Sequence, residues 1–285
     1  MIDLHSHTDQ SDGTFTPGEL VAEAARIGLS ALAITDHDTF RGYDMAVPHA
    51  KDAGVELVCG IELSTRYDGN SVHLLGYFPC QPPSDEFRAW LDFLLESRRD
   101  RNRRLIEKLR SLGIDITLAE VEAKGRTLTG RPHFAKVLVA KGYAKDIQDA
   151  FDKYLDESAR GYVQRQEVPI DEAISRVNAA GGIASLAHPI RVAKNNWDRL
   201  TEYVGDLAGM GMRAVEVFHS DHTPENVAFY HSLAERFALA MSGGSDFHGA
   251  NKPLIALGTG LRRNLNVPEH VLTDLRARSA RALPH

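Results

Sequence analysis

Histidines and carboxylates recur in short motifs, and most of these motifs follow a predicted β-strand. The candidate ligands are His5, His7, Asp12, His37, Glu62, His73, His188, Asp246 and His248. Imidazole and carboxylate groups without a thiolate are typical of Mn²⁺, Fe²⁺ or Zn²⁺ sites, whereas Ca²⁺ prefers oxygen ligands alone. These candidates exceed the three or four protein ligands of a single zinc site, so we expect two or three cations that share carboxylates. Such a cluster activates water at neutral pH and neutralises charge during phosphoryl transfer.

The joint position of these residues carries the prediction, because no single motif is specific enough. Thirteen histidines in 285 residues would produce roughly 0.6 His-x-His pairs by chance, so His5-Ser6-His7 alone is a weak signal. The carboxyl ends of the strands in an α/β barrel converge on one face, where active sites lie. His5 and His7 close the first predicted strand, Glu62 ends the third and His188 closes the fifth. We therefore expect the candidates to share one rim of a barrel.

Seven short apolar runs predict the strands that would position these residues. They are Ile2–Ser6, Ala31–Thr35, Glu56–Leu63, Val72–Phe78, Ile183–Ala187, Ala214–Phe218 and Leu239–Ser242. Helical patterns lie between several of them; one follows a cap at Thr16 and runs to Gly28. This alternation predicts parallel strands with helical crossovers, and seven strands suit a barrel. The two glycines in Ser242–Ser245 predict a tight turn that aims Asp246.

The stretch from residue 80 to residue 165 interrupts this alternation and predicts a mainly helical insertion. Pro82 and Pro83 precede a long helical pattern from Ser84 to about Leu112, and shorter helical pieces continue to about Tyr154. We therefore divide the chain into a first barrel part at 1–79, an insertion at 80–165 that caps the substrate site, and a second barrel part at 166–285. Residues 282–285 are expected to form a frayed tail.

The bulk composition is that of an ordinary globular protein, with 43% apolar and 25% charged residues. A net charge of −6 argues against a surface built for general nucleic-acid binding. Cys59 and Cys80 are the only cysteines, which excludes a disulfide framework and predicts a cytoplasmic setting. We expect no secretory signal, no membrane span and no obligatory protein partner.

Motifs for a nucleophile supplied by the protein are absent from the sequence. Six residues separate Cys59 from Arg66, so the Cys-x5-Arg loop of cysteine phosphatases is missing. Neither a Gly-x-Ser-x-Gly elbow nor a Walker loop occurs. The sequence therefore favours hydrolysis in which water is the nucleophile.

An ordered series of motifs resembles the PHP (polymerase and histidinol phosphatase) superfamily. The motifs are His5-Ser6-His7, Ser11-Asp12-Gly13, Thr35-Asp36-His37-Asp38, Gly60-Ile61-Glu62, Ala187-His188-Pro189 and Ser245-Asp246-Phe247-His248. The resemblance covers the chain from Met1 to about Gly260. It implies an α/β fold, a distorted (β/α)7 barrel that holds up to three metals.

The same resemblance implies how the ligands divide among the metals. The implied groups are His5, His7, Glu62 and Asp246; Glu62, His73 and His188; and Asp12, His37 and His248. Glu62 would bridge the first two metals. Many family members have histidine where this chain has Asp12, which leaves the occupancy of the third site open.

The opening residues 1–8 and the segment Thr129–Phe134 resemble one branch of this superfamily. That branch implies removal of the 3′-phosphate from nucleoside 3′,5′-bisphosphates such as pAp, and some members degrade short RNA from the 5′ end. We expect Mn²⁺ as the metal, with Fe²⁺ or Zn²⁺ as alternatives. A phosphatase for a small metabolite such as histidinol phosphate and a non-catalytic PHP module are the competing interpretations. The arginine-bearing insertion argues against the former, and the intact ligand series argues against the latter.

Candidate substrate-binding residues lie in the insertion. Arg99 and Arg103 are four residues apart on the long helix and share a face, from which an arginine fork could hold a phosphate. Arg131 and His133 lie in a turn that opens a helix, where backbone N–H groups favour anions. Solvated surface positions are the alternative for all four.

Four residues of the barrel loops are candidates for catalysis or substrate contact. Asp246 and His248 follow the last predicted strand and are assigned to catalysis as ligands. His219 and His222 follow the sixth strand. We assign His219 to substrate binding and His222 to protonation of the leaving oxygen. An ordinary loop position is the alternative for both.

Overall fold

The computed structural model describes residues 1–125, 129–164, 167–193 and 196–280. The predicted end of the insertion at Arg165 and the predicted tail at 282–285 lie outside the described residues. The division of the chain into three parts therefore stays a prediction.

Strands and helices alternate along most of the described chain. The strands are β1 (Ile2–Asp3), β2 (Ala31–Ile34), β3 (Glu56–Tyr67), β4 (Asn70–Phe78), β5 (Val168–Pro169), β6 (Ile183–Leu186), β7 (Ala214–His219), β8 (Ala240–Gly244), β9 (Ile255–Ala256) and β10 (Gly260–Leu261). The helices are α1 (Pro17–Arg26), α2 (Arg41–Ala53), α3 (Asp85–Ser111), α4 (Leu118–Glu122), α5 (Arg131–Ala140), α6 (Ile147–Ala150), α7 (Ile170–Ala179), α8 (Ile190–Ala193), α9 (Trp197–Gly209), α10 (Pro224–Arg236) and α11 (His270–Ala280). None of the described helices is long and apolar enough to cross a membrane.

Seven strands form a sheet in the order β1-β2-β3-β4-β6-β7-β8, and its two edges approach each other. The N–H of Leu4 donates to the carbonyl of Gly243 at 3.1 Å. A parallel bridge between Ser6 and Phe247 continues this contact beyond the strands. The predicted α/β barrel is therefore confirmed, with β5 paired to β3 outside the ring.

Strand β4 runs antiparallel to both of its neighbours, which corrects the expectation of parallel strands throughout. Asp68 and Gly69, with φ of 48° and 75°, form a tight turn that joins β3 directly to β4. Asp-Gly is a preferred sequence for such a hairpin turn. The reversal places the beginning of β4, including His73, at the rim formed by the carboxyl ends of the other strands.

Apolar side chains fill the barrel and close the end away from this rim. Tyr77 is fully buried, and its hydroxyl donates to the carbonyl of Leu4 at 2.9 Å. Leu272 and Leu275 of α11 pack against the same hydrophobic cluster. The rim is thus the open end of the barrel.

The helices of the insertion have a hydrophobic cluster of their own. Leu105 and Leu109 of α3 pack with Phe134 and Leu138 of α5, and all four are buried. Burying each such side chain contributes roughly 1.5–3 kcal/mol. The first half of α3, by contrast, packs through Leu91 and its neighbours on the core of the barrel. The second half of α3 and α5 therefore share a hydrophobic cluster of their own, and the first half of α3 packs on the barrel.

Gly243 and Gly244 are required by the close approach of neighbouring strands, and not by a turn as predicted. Both lie within β8. A Cβ at Gly244 would lie 2.2 Å from the backbone nitrogen of His5, and one at Gly243 would lie 2.6 Å from the carbonyl of Phe218. Gly243 thus lets β8 approach β7, and Gly244 lets the end of β8 approach the segment that carries His5, which lies beside Asp246.

Gly244→Ala is expected to destabilise the protein by about 2 kcal/mol or more, because the new methyl group meets backbone that cannot yield. Urea unfolding followed by circular dichroism measures the change. Gly209→Ala is the matched control, since a Cβ there meets no heavy atom within 4 Å and alanine favours the helix. Wild-type stability in Gly244→Ala would contradict the close-approach explanation.

Candidate metal centre

The strand ends that form the rim contain strained backbone. Asp38, His188 and Asp246 have positive φ values of 56°, 28° and 57°. This conformation costs a non-glycine residue of order 1 kcal/mol and is found mainly where surrounding structure or function imposes it. Two of the three are predicted ligands, and the third follows the predicted ligand His37.

Glu62 is the carboxylate around which the ligands are grouped. Its Oε2 lies 3.2 Å from His7 Nε2 and 3.3 Å from His37 Nδ1. Its Oε1 lies 2.8 Å from His73 Nδ1 and 3.0 Å from His188 Nε2. Burial alone would raise the pKa of Glu62, but the surrounding histidines hold it well below its usual range. The position of Glu62 between two groups of imidazoles fits the predicted bridging role.

Asp246 is the second carboxylate of the cluster. Its Oδ1 lies 3.6 Å from His5 Nε2 and 3.4 Å from His7 Nε2. Its Oδ2 lies 3.4 Å from Nε2 of His219. His5, His219 and Asp246 thus form a potential ligand group. His219, which the sequence analysis assigned to substrate binding, therefore lies among the potential ligands.

Asp12 forms a third group with a histidine of its own loop and with histidines from two other segments. Its Oδ1 lies 3.2 Å from His248 Nε2, and its Oδ2 lies 3.8 Å from His37 Nε2. His7 completes the group. Despite burial, which would raise it, the pKa of Asp12 is held well below its usual range by His248 and His37. The predicted third set is thus brought together, with His7 as an additional member.

The unpaired atoms of the cluster fit divalent cations. Four buried ring nitrogens have no hydrogen-bond partner among the residues that the structure describes: His5 Nε2, His7 Nε2, His37 Nδ1 and His219 Nε2. Buried polar atoms are seldom left in that state. Each of them faces a carboxylate oxygen at 3.2–3.5 Å, a spacing expected of two ligands about 2.1 Å from one cation. The histidine, aspartate and glutamate cluster therefore fits a site for divalent metals.

Glu216 is a supporting residue that the sequence analysis missed. It is fully buried in β7 and accepts a hydrogen bond from His5 Nδ1 at 2.8 Å and from the N–H of His188 at 2.6 Å. It thus orients the ring of His5 with Nε2 toward the cluster. A carboxylate at an inward position of an apolar strand was the available signal, because a buried charge requires a partner.

Asp36 and Asp38 support the ligand between them instead of facing the cluster. Asp36 accepts hydrogen bonds from the backbone and side chain of Thr8 at 2.8 and 2.6 Å. Asp38 accepts from the N–H of Ser64 at 2.9 Å and from Arg98 Nη2 at 2.5 Å. His37 is therefore held between two anchored neighbours.

The candidate ligands form one end of a cavity of about 380 Å³, and side chains between Arg98 and Val163 contribute to the rest of its wall. The cations along its wall are Arg98, Arg101, Arg131, Arg191 and Lys252, and its larger apolar or aromatic side chains are Ile147, Phe151, Tyr162 and Val163. The arrangement can hold an anion at the cluster and a second anion near the insertion.

Arg99 and Arg103 do not line this cavity. Their side chains are 64% and 57% exposed and pair with Glu96. Arg98 and Arg101 are buried and line the cavity instead. The predicted phosphate contact therefore does not fit the exposed pair, because the helix turns the opposite face toward the barrel.

Arg131 and His133 lie in the same helical turn, but their side chains have different surroundings. Arg131 lines the cavity. His133 is buried, and its Nδ1 accepts the N–H of Gly130 at 3.0 Å, which closes the first turn of α5. Burial lowers the pKa of His133. The predicted phosphate contact fits Arg131, whereas His133 supports the turn.

His222 lies behind the cluster and is not among the residues that line the cavity. Its Nδ1 lies 2.8 Å from the carbonyl of Val217, and its ring packs on Tyr230 and His219. Burial lowers the pKa of His222 to about 4. An enclosed, neutral imidazole does not fit the predicted protonation of a leaving oxygen.

Comparison with known proteins identifies the family, since residues 3–208 match the family model described as PHP domain. The chain belongs to the PHP domain family. It is 36% identical over 268 residues to the 5′-3′ exoribonuclease Rnm of Escherichia coli K12, covering 92% of this chain and 89% of that protein. It is 33% identical over 251 residues to a 3′,5′-nucleoside bisphosphate phosphatase of Chromobacterium violaceum, covering 87% of each.

A solved structure supports the same assignment. A Bifidobacterium adolescentis protein described as a metal-dependent phosphoesterase matches with a TM-score of 0.84 and 31% identity, over 97% of this chain and 96% of that one. The PHP family predicted from the motifs is therefore confirmed.

Glu216→Gln in this PHP domain is expected to weaken Mn²⁺ binding by about 10- to 100-fold, because His5 loses the charged acceptor that orients it. Competition with a chelating dye measures the affinity, and circular dichroism verifies the fold. Glu172→Gln on the surface of α7 is the matched control, since its partner is the exposed Arg176. Unchanged Mn²⁺ affinity in Glu216→Gln would show that His5 does not depend on this carboxylate.

Proposed function

We propose that this PHP domain protein is a phosphoesterase that removes the 3′-phosphate from nucleoside 3′,5′-bisphosphates. Water adds to phosphorus and the bond between phosphorus and the 3′ oxygen breaks, which yields a nucleoside 5′-phosphate and inorganic phosphate. The observation that carries the proposal is the single cavity that joins the ligand cluster to cations of the insertion. Relatives named for a bisphosphate phosphatase and an exoribonuclease support the same class of reaction.

The scissile phosphate is proposed to bind at the end of the cavity formed by the cluster. We propose Mn²⁺ as the metal there, with Fe²⁺ or Zn²⁺ as alternatives. When bound, such cations activate water and neutralise charge on the phosphoryl oxygens. Asp246 and His248, the predicted catalytic ligands, are no more than 5% exposed. The protein thus limits bulk water around the reacting group, which strengthens electrostatic contacts with it.

The 5′-phosphate is proposed to bind the cations of the insertion. Arg101 is buried in α3, Arg131 opens α5, and both line the cavity. Arg98 also lines the cavity, and its Nη2 donates to Asp38 and to Ser64 at 2.5 and 3.1 Å, which ties α3 to the barrel. We assign Arg101 and Arg131 to the phosphate and Arg98 to holding α3 on the barrel.

The aromatic and apolar wall is proposed to hold the nucleoside between the two phosphates. Phe151 and Tyr162 offer rings, and base stacking on such rings contributes about 1–3 kcal/mol without selecting a sequence. The same wall would accept the 5′-terminal nucleotide of a short RNA, whose 3′ oxygen also carries a phosphate ester. A small monoester such as histidinol phosphate would leave this second anion site unused.

Incubation of the Mn²⁺-loaded protein with adenosine 3′,5′-bisphosphate tests the proposal. Chromatography against 2′-, 3′- and 5′-AMP is expected to show 5′-AMP and one equivalent of phosphate, with Asp246→Asn as the inactive control. No turnover with Mn²⁺, Fe²⁺ or Zn²⁺ would refute the bisphosphatase activity. Histidinol phosphate and short RNAs would then be the next substrates to assay.

Arg131→Ala is expected to raise KM for adenosine 3′,5′-bisphosphate by about tenfold or more and to leave KM for 3′-AMP nearly unchanged. The reason is that only the bisphosphate has a 5′-phosphate for this arginine. Steady-state phosphate release with both substrates measures the difference. Arg99→Ala is the matched control, since Arg99 is exposed and pairs with Glu96. An equal loss on both substrates would contradict the assignment of Arg131.

A further inference from the structure

Two cations line the cavity on the side of Asp246, one from α8 and one from the segment after β8. Arg191 Nη2 and Lys252 Nζ lie 3.1 and 2.5 Å from the same carboxylate oxygen, Oδ2 of Asp246. Arg191 also binds Asp221 at 2.5 Å. Within the described part of the chain, Asp246 is the only acidic partner found for Lys252. Lys252 is thus held by a single carboxylate, and that carboxylate is a predicted metal ligand.

The backbone that carries Lys252 is fixed against the loop after β1. The N–H of Ala250 donates to Thr14 Oγ1 at 2.9 Å, and the side-chain amide of Asn251 donates to the carbonyl of Asp12 at 2.5 Å. The side chain of Lys252 is 32% exposed and lines the cavity. A fixed backbone with a long side chain lets the ammonium change partner without moving the loop.

Three nitrogen groups surround Oδ2 of Asp246, and a divalent cation bound there would compete with them. Besides Lys252 and Arg191, Nε2 of His219 lies 3.4 Å from the same Oδ2. A divalent cation bound by Asp246 would repel the ammonium of Lys252. A phosphate in the cavity would attract both, and an ammonium is a compact donor for phosphate oxygens.

We propose that Lys252 binds the scissile phosphate and that Asp246 holds its ammonium at the cluster until that phosphate arrives. The identity of the substrate in this inference rests on the proposed function. Lys252 contacts the phosphate beside the metal ligands, whereas Arg101 and Arg131 contact the distal phosphate. The two groups of cations thereby distinguish the two ends of a bisphosphate. The contact of Lys252 is non-covalent and leaves the bond changes of hydrolysis as stated above.

Calorimetric titration of the Mn²⁺-loaded protein with inorganic phosphate tests this role without relying on turnover. Lys252→Met is expected to weaken phosphate binding by about 10- to 100-fold, the usual contribution of a charge-assisted hydrogen bond. Its affinity for Mn²⁺ is expected to be unchanged or higher, because a competitor for Asp246 is gone. Lys252→Arg should retain most of the phosphate affinity, and Lys51→Met on the surface of α2 should match the wild-type protein.

Unchanged phosphate affinity in Lys252→Met would overturn the proposal. A parallel loss of Mn²⁺ affinity would also overturn it, because Lys252 would then only stabilise the cluster. With turnover, Lys252→Met should reduce kcat/KM equally for 3′-AMP and the bisphosphate, and a loss confined to the bisphosphate would contradict the assigned end. If the wild-type protein hydrolyses neither substrate, the proposed function fails, and the phosphate titration still decides the role of Lys252.

Discussion

The burial of Glu62 is the constraint on which the rest of the site depends. This carboxylate is 1% exposed, and an unpaired charge at that depth would cost several kcal/mol. Nitrogens of His7, His37, His73 and His188 lie 2.8–3.3 Å from its oxygens and come from four different strands or the loops that follow them. Closing the sheet into a barrel brings these segments to one point. The buried charge of Glu62 therefore requires the closed barrel, because only closure brings these histidines around it.

A second layer of buried polar groups gives the ligands their orientation. Glu216 binds the ring nitrogen of His5 that faces away from the cluster, and Asp36 and Asp38 anchor the loop that carries His37. Two residues with positive φ take part in such contacts: Asp38 accepts the N–H of Ser64, and the N–H of His188 donates to Glu216. Ligand geometry in this protein is thus set by residues that need not touch a metal.

The buried face of α3 decides which of its arginines line the cavity. The buried stripe of α3 includes Leu91, Leu94, Arg98 and Arg101. Arg98 and Arg101 each follow one of these leucines by seven residues, which is about two helical turns. Arg99 lies outside the stripe and is solvated. The periodicity of the apolar residues of α3 therefore indicated which arginines line the cavity, whereas the four-residue spacing of Arg99 and Arg103 favoured the exposed pair.

The sequence by itself determined the ligand types, the α/β barrel and the long helix that begins after Ser84, because these depend on residue chemistry and on patterns within a few neighbours. The Asp68-Gly69 pair was also a local signal for the hairpin that reverses β4. The general alternation of strands and helices, however, predicted parallel strands. Only the tertiary structure decided that Glu216 supports His5, that His219 turns toward Asp246 and that His222 does not reach the cavity. His5 and Glu216 are 211 positions apart. Such pairings follow from how the strands close into a barrel, which no local pattern records.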